Sequence, residues 1–185
     1  MFLINEYSTM PSRVIYLTLD LPQEDQIQSI REQFDPLAGS VPPHITLVFP
    51  FESEIETDLL VEQIDQAIDE LDFEYVEISL DRAIIVGQFC FLPIEEGRDQ
   101  ISDLHDLLYG GILETFLSEE EDYIPHLTIG RCSSEVEAEE IRLAADAINL
   151  KPTGAIRSII LERMHEDDSS HTEYERNLRP DTPET

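Results

Sequence analysis

Pro43-His44-Ile45-Thr46-Leu47 and Pro125-His126-Leu127-Thr128-Ile129 repeat one word (proline, histidine, apolar, threonine, apolar), with the two histidines 82 residues apart in a chain of 185. Side chains of an extended strand alternate with period two, so each histidine shares a face with its threonine while the two apolar residues turn to the other face. The apolar pair is then free to bury against a helix, and the histidine and threonine to line a groove. A lone histidine in a strand is more often a packed or surface residue than a catalyst. Two copies of one five-residue pattern at matching places in the chain reverse that expectation.

The elements around the two copies also match. Residues 13–20 (RVIYLTLD) form a β-branched and aromatic run that predicts a strand. Pro22 stands where a helix can start, and residues 23–34 carry Ile27, Ile30 and Phe34 at helical spacing. Pro36, Gly39 and Pro42-Pro43 mark a loop. A strand at 44–49, a helix at 56–71 with Leu60, Ile64, Ala67, Ile68 and Leu71 on one face, and a strand at 73–80 complete the first unit. The order then restarts. Residues 83–86 and 88–94 predict paired strands turning at Gly87, and residues 95–117 hold a helix with Ile101, Leu104, Leu108 and Ile112 on its buried face and a break at Gly110-Gly111. A strand at 126–131 follows, then a helix through Ile141, Ala144, Ala145 and Ile148, opened by Ser133 or Ser134 with Glu137 in the manner of a capping box. A strand at 155–164, a turn at 167–170 and a return strand at 172–175 end the second unit.

The predicted fold class is therefore α+β and bilobal, with two pseudo-symmetric strand-helix-strand-helix-strand lobes around a central cleft. Residues 1–12 are expected to be an N-terminal extension, 13–177 one bilobal domain with repeats at about 13–80 and 83–176, and 178–185 a frayed C-terminal tail. With 41% hydrophobic residues the chain can build a core, and wholesale disorder is excluded. No apolar run approaches the roughly 18 to 20 residues that span a bilayer, and the N-terminus lacks a basic leader with a long apolar region. A soluble, cytoplasmic protein is expected.

Eleven basic residues face 41 acidic ones, a net charge of −30, and Lys151 is the one lysine. Such a surface repels polyanions and offers few cations to replace phosphate counterions, which argues against long RNA or DNA as a partner. The expected partner is a small phosphodiester substrate, with no membrane contact and the oligomeric state left open. Two origins of the acidity stay open, a high-salt cytoplasm or plain solubility. Cys90 and Cys132 form no CxxC pair and read as small buried hydrophobes in a reducing compartment.

The duplicated histidine and threonine suit phosphodiester chemistry. One neutral imidazole can take a proton from the attacking oxygen while an imidazolium gives one to the leaving oxygen, and an ordinary histidine titrates near pH 6.5, so both forms are accessible. The threonine hydroxyls can donate to the non-bridging phosphoryl oxygens. The scheme needs neither metal nor cofactor. His44 and His126 are thus the candidate acid–base pair, and Thr46 and Thr128 the phosphate binders. A symmetric pair does not distinguish base from acid; His126 as base and His44 as acid is the working assignment for ring opening. The many carboxylates are expected to raise both histidine pKa values. Tyr16, Phe49, Phe51, Phe89 and Phe91 lie on or beside the cleft strands, most of them expected in the core and any one of them able to stack on a base. His105 is expected exposed on its helix. His165 and His171 flank the turn at 167–170, where Glu166 or Asp168 would complete a metal site that no ligand-spacing motif supports.

His44-Ile45-Thr46-Leu47 and His126-Leu127-Thr128-Ile129 resemble the paired HxT motifs of the 2H phosphoesterase superfamily, and within it the RNA 2′,3′-cyclic phosphodiesterase and 2′-5′ RNA ligase-like proteins. The resemblance covers roughly residues 13 to 176. It implies a bilobal fold with both motifs in a central cleft, and metal-free opening of a cyclic phosphodiester, often to a 2′-phosphate. Arg131, three residues after Thr128, matches a basic position frequent after the second family motif and would pair with phosphate; a salt bridge on the rim is the competing role. The scarcity of basic flanks departs from members acting on tRNA-sized RNA. A mononucleotide cyclic phosphate, a short RNA end or a nucleotide-derived metabolite fits better. The alternatives are a non-catalytic nucleotide-phosphate binding protein and a 2′-5′ RNA ligase or RNA-processing factor, the latter needing a basic track along the cleft.

Overall fold

The computed structural model describes residues 10–118, 122–148, 153–165 and 169–179. In chain order these form β1 (Ser12–Asp20), α1 (Glu24–Phe34), β2 (His44–Glu52), α2 (Thr57–Leu71), β3 (Glu77–Ser79), β4 (Ile84–Val86), β5 (Phe89–Pro93), α3 (Arg98–Leu108), a 3-10 turn (Gly111–Phe116), β6 (His126–Arg131), α4 (Glu135–Ala147), β7 (Thr153–Met164) and β8 (Ser170–Asn177). The strands make one antiparallel sheet in the order β3-β7-β1-β2-β6-β5-β4. Strand β8 pairs with β7 along 158–164, beside the stretch at 153–155 that β3 covers.

One face of the sheet carries the apolar half of each alternation. Ile15, Leu17, Ile45, Leu47, Leu127, Ile129, Ile159 and Leu161 are fully buried there. The helices supply the other side of the core: α2 buries Leu60, Ile64, Ala67 and Ile68, and α3 buries Ile101, Leu104 and Leu108. Each large aliphatic side chain so covered contributes about 1.5 to 3 kcal/mol. Helix α1 lies on β6 and against α4, whereas α3 lies on β2 and against α2. Each histidine-bearing strand is therefore backed by a helix from the other sequence unit. The approach over β6 is close: a Cβ at Gly130 would stand 2.8 Å from Cβ of Phe34 and 3.0 Å from Cδ1 of Ile141.

The two lobes are not simply the two halves of the chain. Strand β7, the last strand of the second unit, crosses to lie outside β1 and so completes the first lobe. The strand expected at 73–80 is shortened to β3. Asp72 ends α2 in the left-handed conformation (φ 49°), and Tyr75 at φ 48° breaks the extended run again. The break at Gly110-Gly111 is observed, with the chain continuing in the 3-10 turn. Gly87, at φ 60°, makes the β4–β5 turn. Helix α4 opens as expected: Ser134 accepts from the Glu137 N–H, and the Glu137 carboxylate accepts from Ser133. Leu178, expected in a frayed tail, is buried; its carbonyl accepts from the Tyr75 N–H. Of the expected extension at 1–12, residues 1–9 lie outside the described residues and β1 already begins at Ser12; residues 180–185 of the expected tail at 178–185, and 167–168 of the expected turn at 167–170, also lie outside them.

Candidate active site

Strands β2 and β6 meet at the centre of the sheet, with Ile45 opposite Leu127. Pairing of the two strands is confined to that position, which His44 and Thr46 flank on β2 and His126 and Thr128 on β6. Opposed side chains in an antiparallel pair have Cβ atoms about 4.5 to 5.5 Å apart and diagonal ones about 7 to 8 Å. The two histidines and two threonines thus flank one contact between neighbouring strands, on a common face. All four residues are half-buried on the face away from the helices, while Ile45, Leu47, Leu127 and Ile129 are fully buried behind them.

Both rings are held in the same way. His44 Nδ1 lies 2.9 Å from the carbonyl oxygen of Pro42, and His126 Nδ1 lies 2.6 Å from that of Ile124. A carbonyl only accepts, so Nδ1 carries the proton and Nε2 of the neutral ring is left with its lone pair. The proline of each word is what arranges this. Pro43 and Pro125 force the residue before them into extended backbone, and that residue is the one whose carbonyl anchors the ring.

The loop before His44 is pinned by Arg31, which is almost fully buried. Its guanidinium donates to the Val41 carbonyl at 2.9 Å and pairs with Asp35 at 2.9 Å. Sequence reading missed Arg31; the available signal was an arginine on the apolar face of α1 beside Ile27 and Ile30, with an acid four residues on.

On the other side, each histidine leans on an aromatic ring from the next strand. Tyr16 stands opposite Thr46, with its ring centroid 5.1 Å from that of His44. Phe91 stands opposite Thr128, 4.2 Å from the His126 ring. These two aromatics are buried supports, and Phe51 packs into the core against Phe116. Phe49 and Phe89 are the exposed members of the group considered for base stacking.

The histidine pKa values move opposite to expectation. His44 and His126 both lie below the ordinary imidazole value, chiefly because burial disfavours the charged ring. The anchoring carbonyls of Pro42 and Ile124 pull them partly back. At His44, Arg31 lowers the value further while Asp35 and Glu162 raise it. Most carboxylates sit in water at the surface, where screening leaves them weaker than desolvation of the ring.

Arg131, at the exposed end of β6, lies 4.9 Å over the Phe89 ring. Arg13, Arg31, Arg142, Arg157, Arg163, Arg176 and Arg179 are all paired with carboxylates. Among the described residues Arg131, like Arg82 and Arg98, forms no ion pair; it lines a pocket with Glu32, Asp35 and Glu137 rather than with the two histidines.

The structure corrects the expectation for His105. It is buried, stacked face to face on Tyr123 at 3.7 Å and tilted against Tyr109 at 4.9 Å. Burial lowers its pKa, against a raising contact with Asp106. The Tyr123 hydroxyl donates to the Thr46 carbonyl at 2.8 Å, and the Tyr109 hydroxyl accepts from the Phe49 N–H at 3.1 Å. Two tyrosines thus serve the edge of β2 where β6 has departed. His165 and His171 do face each other across the β7–β8 hairpin, with Nε2 of one 2.8 Å from Nδ1 of the other. Glu166 and Asp168 lie outside the described residues, and no cluster of three or more metal-ligating side chains occurs among the described ones. Cys90 and Cys132 are both buried free thiols. None of the described helices is long and apolar enough to cross a membrane.

Comparison with known proteins agrees with this architecture. A candidate phosphoesterase of Bacillus licheniformis is 27% identical over 157 residues, covering 82% of this chain and 89% of its own length. One from Oceanobacillus iheyensis is 27% identical over 132 residues, covering 69% and 76%. Among solved structures, E. coli LigT complexed with 3′-AMP superposes with a TM-score of 0.59 at 17% identity, over 91% of this chain and 98% of LigT. Kluyveromyces marxianus Usb1 gives 0.52 at 16%, over 87% and 96%. At such identities the likeness speaks for the fold. The profile of the 2′-5′ RNA ligase superfamily matches residues 19–168, a span that holds both histidine words, and the chain belongs to that superfamily, the 2H phosphoesterases.

Proposed function

We propose that the protein is a metal-independent phosphoesterase that hydrolyses a 2′,3′-cyclic phosphodiester of a nucleotide, a short RNA end or a nucleotide-derived metabolite. The observation that carries this reading is the mirrored anchoring of the two rings, Nδ1 on a backbone carbonyl and Nε2 left free, on adjacent strands. Nε2 of His126 takes a proton from water as the water oxygen bonds to phosphorus. Nε2–H of His44 gives its proton to the departing ribose oxygen as the P–O bond breaks. The rings end with their protonation states exchanged, and solvent restores them. Thr46 and Thr128 donate to the non-bridging oxygens, where charge builds in the transition state.

Both rings rest on the neutral side, which suits the base. The acid is loaded when a phosphodiester anion arrives, because a nearby negative charge favours the imidazolium. A small substrate is supported by the pairing of most arginines to carboxylates, which leaves little basic surface for a polyanion.

The test is a panel of 2′,3′-cyclic nucleotides and short RNA ends with product analysis. Wild-type protein should turn over at least one of them, chelator should leave the rate unchanged, and His44→Ala and His126→Ala should each lose about 10²- to 10⁴-fold. Retention of most activity by either alanine variant would refute the mechanism. Binding without hydrolysis across the panel would move the protein to a non-catalytic phosphate-binding role.

A further inference from the structure

The near-twofold arrangement is broken on one side. On β7, Ser158, Ile160 and Glu162 stand opposite Thr18, Tyr16 and Val14 of β1, and Thr18 and Tyr16 stand opposite His44 and Thr46. Glu162 therefore shares the cleft face with His44. It is 7% exposed, and among the described residues no arginine, lysine or histidine forms an ion pair with it. Its hydrogen-bond partner is a hydroxyl, that of Ser170. Its charge also bears on the hydroxyl of Tyr16, whose ring packs on His44, and with burial holds that hydroxyl protonated. The other half has no equivalent. The counterpart of Tyr16 is Phe91, which has no hydroxyl; Ile84 opposite Phe91 matches Ile160 opposite Tyr16, and the position matching Glu162 is taken by Val86, opposite Phe89.

A buried carboxylate held only by a hydroxyl is costly, because a hydroxyl donor repays little of the lost hydration of a full charge. The compensating cation is supplied by the reaction itself. The charged groups acting on His44 are Arg31 from α1, Asp35 from the loop after it, and Glu162 from β7. Arg31 and Asp35 are paired to each other, which leaves Glu162 as the charge on His44 without an ion-pair partner; Tyr16 also feels Glu175 of β8, which accepts from the Ser158 hydroxyl. At His126, among the described residues, the influences are burial and the Ile124 carbonyl.

We propose that Glu162, acting through the Tyr16 hydroxyl, is a positioning residue that steadies the imidazolium of His44 and so gives the two otherwise equivalent rings different roles. The proposal rests on the phosphodiesterase reading above. Glu162 touches neither substrate nor reacting atoms; it sets the proton affinity of the ring that does.

The experiment compares wild type, Glu162→Gln and Tyr16→Phe. The imidazole resonances of His44 and His126 are titrated by NMR, and kcat/KM is followed against pH on a 2′,3′-cyclic mononucleotide. Glu162→Gln should lower the His44 titration by about one pH unit and draw in the basic limb of the rate profile. Tyr16→Phe should shift it the same way by less, and His126 should stay in place in both. An unmoved His44, or equal shifts of the two rings, overturns the proposal. Tyr16→Phe keeps the ring on His44, so its own titration decides the matter if Glu162→Gln fails to fold. The NMR titration needs no turnover, so an inert wild type would sink the phosphodiesterase reading while the ring shifts still decide the role of Glu162.

Discussion

Replacing Tyr123 by phenylalanine removes one hydroxyl and leaves the ring stacked on His105 at 3.7 Å. What is lost is the 2.8 Å hydrogen bond to the Thr46 carbonyl, on an edge of β2 that β6 does not reach. A buried carbonyl left without a donor costs about 1 to 3 kcal/mol, which in a chain of this size lowers the unfolding midpoint by roughly 3 to 8 °C. The strand then relaxes at Thr46, whose hydroxyl has to meet a phosphoryl oxygen. Misplacement of a positioned group by an ångström can cost about 100-fold, so a partial shift predicts roughly a tenfold fall in kcat. Thermal unfolding and steady-state kinetics measure the two effects, and Tyr109→Phe is the control. That variant orphans the Phe49 N–H, three residues past Thr46, and should lose stability while sparing turnover. Unfolding of Tyr123→Phe within a degree of wild type, or an equal loss of kcat in Tyr109→Phe, would refute this reasoning.

Thr128→Val, nearly isosteric, should lower kcat by about 10²-fold with little change in stability, as for loss of one donor to a developing oxyanion; an unchanged kcat in steady-state assays would remove Thr128 from the phosphate site. Ser134→Ala should destabilise by about 1 kcal/mol in urea titration, since it deletes the hydroxyl that caps α4 at the Glu137 N–H; an unchanged urea midpoint would show that the cap adds nothing. His44, His105 and His126 lie below the ordinary imidazole value when folded, so the unfolded chain binds more protons and their contribution to stability is lost as pH falls below about 6.5. Comparing urea midpoints of wild type and His105→Gln at pH 7.5 and 5.5 separates this from the relief of acidic self-repulsion; the variant should lose less on acidification, and parallel behaviour would count against it.

The alternation of apolar and polar residues in the two words was enough to read which face of each strand is buried, though not that the two strands pair. Ile45 and Leu127 could only be core, and His44 and His126 could only face the other way. Local chemistry was legible too: Gly87 turned the β4–β5 hairpin, and Ser134 with Glu137 opened α4. What stayed hidden depended on partners distant in sequence. Nothing near His105 announces that Tyr123 will stack on it, and a half-polar helix face does not tell a buried imidazole from an exposed one. The direction of the histidine pKa shifts required knowing how deeply the rings sit. Total charge says little about desolvation at one ring. The crossing of β7 to β1 is equally invisible to a repeat, which records the order of elements and not their neighbours.

That crossing, with α1 laid over β6, means neither sequence repeat can close a core by itself. A ribosome that has released residues 1–80 has delivered an apolar sheet face still waiting for β6 under α1 and for β7 beside β1. Native structure must therefore form late, once the strand at Thr153–Met164 has emerged, and the two repeats expressed as separate polypeptides should be soluble only when they can fold around each other.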